Sequence, residues 1–171
     1  MKNNFILLID GMTGAGKTTI TKLLAKDLPR TAIVGMDKVK KFITDFERGE
    51  RDNTIAKEVV LVMVKKYLEL GLSVIVDQPF KNTEEIELFE NLARENRINL
   101  YGFQLFTSPE IAFNRVVNRQ KDYKDKVPEE RIQRNISLFK NKEDLGFTTI
   151  DTSELEPKDV AELILKDLFR K

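Results

Sequence analysis

Phe5-Ile6-Leu7-Leu8-Ile9-Asp10-Gly11-Met12-Thr13-Gly14-Ala15-Gly16-Lys17-Thr18-Thr19 decides how the rest of the chain is read. Its first part is an apolar run short enough for a buried strand, and a loop rich in glycine follows. Ile20, Leu23, Leu24 and Leu28 then recur at helical spacing, so the stretch predicts strand, loop and helix in succession. Gly11 to Thr18 spell G-x-x-x-x-G-K-T, the phosphate-binding loop, in the setting that pattern requires. Glycine lets the backbone turn back and aim successive N–H groups at phosphate oxygens, and the helix N-terminus adds a favourable dipole. The pattern assigns Lys17 to the β- and γ-phosphates and the Thr18 hydroxyl to Mg²⁺. Gly11, Met12, Thr13, Gly14, Ala15, Gly16 and Thr19 complete the cradle, and a nucleoside triphosphate is its expected ligand.

Working outward, 171 residues suit one domain, long enough to bury about two-thirds of its unfolded surface. Charged residues are 33% and apolar ones 41%, the balance of a soluble globular chain, and no stretch approaches a membrane span. A formal net charge of +1 gives no general pull toward nucleic acid or membrane. The chain has no cysteine, which excludes disulfides and thiolate metal sites. It has no histidine either, so proton transfer near neutral pH falls to carboxylates or lysine. The first apolar run ends at Ile9 and feeds the loop, which reads as a strand and not a targeting segment; a cytoplasmic protein is expected.

Strand and helix signals alternate to the end. Thr31–Gly35 is a short strand, and Asp37 stands where a helix cap belongs, with Val39, Phe42, Ile43 and Phe46 continuing at helical spacing. A polar break at 49–53 precedes an apolar helical series from Thr54 to Gly71. Leu72–Asp77 is a third strand, followed by a helix capped by Asn82 or Thr83. Asn99–Phe106 is a fourth strand, and Ser108-Pro109-Glu110 opens the next helix. A polar segment from Gln120 to Val127, a helix from Pro128, a fifth strand Phe147–Asp151 and a helix from Pro157 to Phe169 follow. This alternation predicts one α/β domain around a mostly parallel sheet.

Ligands of open parallel sheets lie beyond the carboxyl ends of the strands, which selects the aspartates there. Asp10 reads as a loop-fixing residue and Asp151 as the start of a turn. Asp37 is the candidate base for an attacking hydroxyl, and Lys40, one turn later, a candidate for an anionic part of the acceptor. Asp77 is a candidate for Mg²⁺ or the acceptor, and Phe80 for the acceptor wall. Arg115 and Arg119 share a helix face, and Arg131 and Arg134 follow the polar segment. Arginines flanking a closing lid suit a transferring phosphoryl group.

Taken together, these residues resemble the small P-loop kinases of the nucleoside-monophosphate-kinase-like superfamily. Within it the chain is similar to the group around polynucleotide 5′-hydroxyl kinase, chloramphenicol phosphotransferase, gluconate kinase and the zeta-toxin kinases. The resemblance runs through Gly11 to Thr18, Asp37-Lys38-Val39-Lys40, Asp77, Ser108-Pro109-Glu110, Arg115-x-x-x-Arg119 and Ile150-Asp151-Thr152-Ser153. It implies a three-layer P-loop kinase fold with a five-stranded parallel sheet in the order 2-3-1-4-5, spanning residues 1–171 with a small lid at about 119–131. It also implies ATP with Mg²⁺, an acceptor-side aspartate base and lid arginines, and the function expected here is transfer of the γ-phosphoryl group to a hydroxyl of a small molecule. Polynucleotide kinases carry Asp-x-x-Arg where this chain has Asp37 to Lys40, and lysine does not make the same bidentate phosphate contact.

Two other readings make different predictions. A nucleic-acid 5′-end kinase would use Lys38, Lys40, Lys41, Arg48 and Arg51 along a phosphodiester backbone and bind with steep salt dependence. A nucleotide-binding regulator would hydrolyse slowly without stimulation by any hydroxyl compound. Asn141-Lys142-Glu143-Asp144 matches the guanine-reading N-K-x-D pattern, but it follows a helical segment where that motif follows a buried strand.

Overall fold

The computed structural model describes residues 4–47, 49–121, 126–140 and 144–170. The opening apolar run forms β1, Phe5–Gly11, and its side chains divide between two cores. Leu7 and Ile9 pack into one, Ile6 and Leu8 into the other, as the two-residue period of a strand dictates. A strand buried on both faces is continuously apolar because helices cover both sides of the sheet.

The remaining elements are α1 (Lys17–Asp27), β2 (Thr31–Val34), α2 (Met36–Lys40), α3 (Glu50–Glu69), β3 (Ser73–Asp77) and α4 (Thr83–Asn96). They continue with β4 (Asn99–Phe106), α5 (Pro109–Arg119), α6 (Glu129–Lys140), β5 (Thr148–Asp151) and α7 (Pro157–Leu168). All pairings are parallel, and the sheet runs β2-β3-β1-β4-β5. Ile20 and Leu24 of α1, Val116 of α5, Ile132 of α6 and Ile164 of α7 join the Leu7 core. Val60 and Val64 of α3 and Ile86 and Phe89 of α4 join the Ile6 core. The result is a three-layer α/β architecture with β1 at its centre. Among the described residues no helix is long and apolar enough to cross a membrane.

Capping follows the sequence in two places. The Asn82 side chain accepts from the Glu85 amide, and Ser108 accepts from Ile111 with Pro109 in the first turn. In two others it departs. The expected helix through Phe46 ends at Lys40, leaving Phe42 78% exposed, and Gly35, not Asp37, is the N-cap of α2. The helix expected from Thr54 begins at Glu50, inside the polar break, where Glu50 and Asp52 occupy a first turn that favours negative charge.

Gly35 brings β2 into α2 against β3, and a Cβ there would overlap the Asp77 carbonyl oxygen. That neighbour is sheet backbone and cannot rotate away. Gly35→Ala is therefore expected to cost about 1–3 kcal/mol, seen as a lower urea midpoint at an unchanged slope.

Candidate active site

The loop between β1 and α1 is closed by its own backbone. The Met12 amide donates to Leu105 O at 3.0 Å and the Ala15 amide to Met12 O at 3.1 Å. The amides of Thr13, Gly14, Gly16 and Thr18 donate to no backbone carbonyl among the described residues. Fewer amides than the motif spans are therefore placed to meet an anion, because Met12, Ala15 and Thr19 spend theirs on backbone carbonyls. Gly14 has a φ of 89°, and a Cβ on it would lie 2.5 Å from Ala112 O, so only glycine fits where the loop passes over α5. Lys17 Nζ donates to Gly11 O at 2.6 Å and Met12 O at 3.2 Å, which holds its ammonium across the loop.

Two supports lie outside the loop. Asp10 is fully buried and accepts from the Phe80 amide at 3.1 Å and from Gln104 Nε2 at 2.9 Å. It ties the end of β1 to the turn after β3 and to β4, the loop-fixing role expected of it. Thr152, just past β5, donates to Ala15 O at 3.2 Å and Phe106 O at 3.0 Å, bracing the loop from the other side. Thr152 stands in the closing Ile150–Ser153 match without an expected role of its own; its local signal is the Asx turn in which Asp151 accepts from the Ser153 amide.

Lys17, Thr18, Asp37 and Asp77 come together at the carboxyl ends of β1, β2 and β3. Thr18 Oγ1 donates to Asp77 Oδ2 at 3.1 Å, and Thr21 Oγ1 lies 3.4 Å from the same oxygen. Burial pushes the Asp77 carboxyl above the ordinary carboxylate range, while Lys17, the Thr18 hydroxyl and Lys38 pull it down and Asp37 adds to the rise. Such a carboxyl binds its proton more readily in the folded than in the unfolded chain. The ligand-free protein thus gains stability as pH falls through the raised value, the gain being complete below the unfolded value of 3.8. Asp77→Asn is expected to melt above wild type at neutral pH, with the gap closing on acidification. Thermal melts across pH check this; a variant melting lower at neutral pH would contradict burial as the main cause.

The donor set suits a hard divalent cation. Thr18 and Asp77 offer adjacent oxygens, and among the described residues no group of three or more His, Cys, Asp or Glu forms a closed metal cage. Mg²⁺ is commonly held by one or two protein oxygens together with waters and phosphate oxygens, and a hydroxyl beside a carboxylate is compatible with that.

Asp37 sits in the first turn of α2 with 83% of its side chain exposed, and Lys40 Nζ lies 2.9 Å from its Oδ1. Lys40 itself is buried and also donates to Asn53 Oδ1 of α3 at 3.0 Å. Lys40, read from sequence as an acceptor ligand, holds Asp37 and ties α2 to α3. Asn53 in turn lines a cavity of about 1160 Å³ enclosed by α3, the turn after β3, the start of α4, and α6. Arg131 and Arg134 of α6 line the same cavity. Phe80 does not: it is 1% exposed and packs edge-on against Phe89 and Phe147, at centroid distances of 5.7 and 6.0 Å. It belongs to the core, drawn there by aromatic partners from α4 and from the residue before β5.

The two arginines of α5 separate. Arg115 donates to Thr152 O at 2.9 Å and to Ser153 O at 3.4 Å, so it fixes the turn after β5. Arg119, exposed in the last turn of α5, remains at the approach to the expected lid. Residues 122–125 of that lid, Arg48, and Asn141 to Glu143 of the N-K-x-D match lie outside the described residues. Asp144 of that match accepts from the Gly146 amide at 2.9 Å.

A parallel sheet in this order, with the glycine loop at its central strand, is the P-loop kinase fold. An AAA-domain family model matches residues 6–141, and the chain belongs to that family. No curated protein sequence matches it. Solved structures resemble it in fold. The tunicamycin resistance protein of Deinococcus radiodurans has a TM-score of 0.68 at 18% identity, covering 98% of this chain and 97% of its own. The APS kinase of Mycobacterium tuberculosis, solved with AMPPNP and APS, has 0.69 at 11%, covering 97% and 98%. Shikimate kinase of Acinetobacter baumannii, solved with shikimate, has 0.63 at 19%, covering 98% and 93%.

Proposed function

We propose that this chain is an ATP-dependent phosphotransferase that moves the γ-phosphoryl group to a hydroxyl of a small molecule. The observation that carries the reading is the meeting of the anion cradle, the Thr18–Asp77 pair and the exposed Asp37 carboxylate at one end of the sheet, beside a large cavity. The fold is shared with an APS kinase and a shikimate kinase, both of which take small acceptors by name.

In this reading the loop amides and Lys17 hold the triphosphate. Thr18 and Asp77 would hold Mg²⁺, which when bound offsets charge on the phosphate oxygens. Asp37 accepts the proton of the attacking hydroxyl as its oxygen bonds to γ-phosphorus, and the bond to the bridging oxygen breaks, leaving ADP. Arg119 meets charge on the transferring group, and Arg115 acts by keeping the turn after β5 in place. Residues 1–171 form a single domain in which about 119–131 serve as lid and exclude water.

Labelled ATP with Mg²⁺, offered nucleosides, sugar acids, aminoglycosides and 5′-hydroxyl oligonucleotides, tests this directly. Label passing to a hydroxyl compound is the expected result. Slow hydrolysis raised by none of them would instead identify a nucleotide-binding regulator, and preference for GTP would reverse the choice of nucleotide. The nucleic-acid alternative is weakened by Lys40, whose ammonium is buried and engaged with Asp37 and Asn53. Oligonucleotide binding that falls steeply with salt would restore it.

A further inference from the structure

The cavity between α3, α4 and α6 says more about its occupant than its volume does, provided it is the acceptor chamber of the proposed reaction. Its lining carries no surplus of positive charge. Lys57 is paired with Glu85 at 2.5 Å, both partly buried. Behind the wall Lys40, with 8% of its side chain exposed, is committed to Asp37. The cations left in the lining, Lys81, Arg131 and Arg134, are exposed and matched in number by Glu50, Glu58 and Glu130. An anionic acceptor seated against the Lys57–Glu85 pair would meet the Glu85 carboxylate unless the pair parted.

Two further features favour an uncharged occupant. Leu88 of α4 and Leu138 of α6, 49% and 60% exposed, both line the chamber, so an apolar body entering it would remove their side chains from water. At about 1160 Å³ the chamber also exceeds what a short sugar acid fills.

We propose that the chamber takes an uncharged hydroxyl compound with an apolar portion, of the size of an aryl glycoside or nucleoside. It discriminates against acceptors that carry a carboxylate or phosphate. Lys57–Glu85 supplies the discrimination, and Leu88 and Leu138 the affinity for the apolar part.

Umbelliferyl glucoside and umbelliferyl glucuronide differ by one carboxylate, and their fluorescence reports binding without turnover. Titration into the whole protein is expected to show the glucoside bound about 10-fold or more tighter than the glucuronide. Leu138→Asp should weaken the glucoside by about 10-fold while the thermal transition stays near wild type, since the position is exposed. Glu85→Gln, which releases Lys57, should narrow the gap by raising affinity for the glucuronide. The proposal is overturned by a glucuronide that binds as tightly as the glucoside, by absence of glucoside binding, or by a Leu138→Asp variant indistinguishable from wild type. Failure of the phosphotransfer reading appears elsewhere, as no label transferred from ATP, and leaves these affinities unaltered.

Discussion

Lys17→Ala is expected to reduce phosphoryl transfer about 10²–10³-fold and to weaken Mg–ATP binding markedly in a calorimetric titration. The size follows from the number of things one ammonium does here. It spans the loop to the Gly11 and Met12 carbonyls, and it is the largest favourable charge on the Asp77 carboxylate. Alanine removes the loop brace and the positive charge in the cradle together. It also leaves Asp77 with less to offset its burial, so the carboxyl moves further up. The loss therefore falls on binding as well as on turnover. A variant that titrates Mg–ATP like wild type would remove Lys17 from the triphosphate site.

Asp37→Asn is expected to behave differently, leaving Mg–ATP affinity near normal while kcat falls about 10²–10⁴-fold. Asparagine keeps an oxygen for Lys40 Nζ, which lies 2.9 Å from Asp37 Oδ1, so geometry is retained and only the capacity to take a proton is lost. Stability is a second control. Asp37 is largely solvated, so its ion pair contributes at most about 1 kcal/mol, and Asn53 still receives a hydrogen bond from the buried lysine. A fall in kcat with an almost unchanged melting temperature is thus a chemical effect. Unchanged turnover would end the assignment of Asp37 as base.

The helix boundaries show where local signals stopped being sufficient. Val39, Phe42, Ile43 and Phe46 have helical spacing, yet α2 stops at Lys40 and Phe42 faces solvent. Periodicity describes a face without saying whether anything lies against it; beyond Lys40 the chain turns toward α3. Glu50 and Asp52 read as part of a polar break, and α3 takes them into its acidic first turn. Ser108 was legible because a cap needs only the amides two or three residues ahead, and of Asn82 and Thr83 it is Asn82 that takes the cap.

What the sequence determined by itself was the parallel α/β plan, the cradle from Gly11 to Thr18 and the aspartates at the strand ends. Each is written in a short window, as a two-residue or 3.6-residue period or as glycines that a turn demands. Tertiary structure alone decided what the charged and aromatic side chains touch. Lys40 goes to Asn53, Arg115 to the carbonyls beyond β5, Phe80 to Phe89 and Phe147, and Thr152 to the loop at Ala15. Those partners come from elements that meet only when the sheet is assembled. A long side chain takes the nearest unmet charge or carbonyl in space, and sequence separation does not encode that distance.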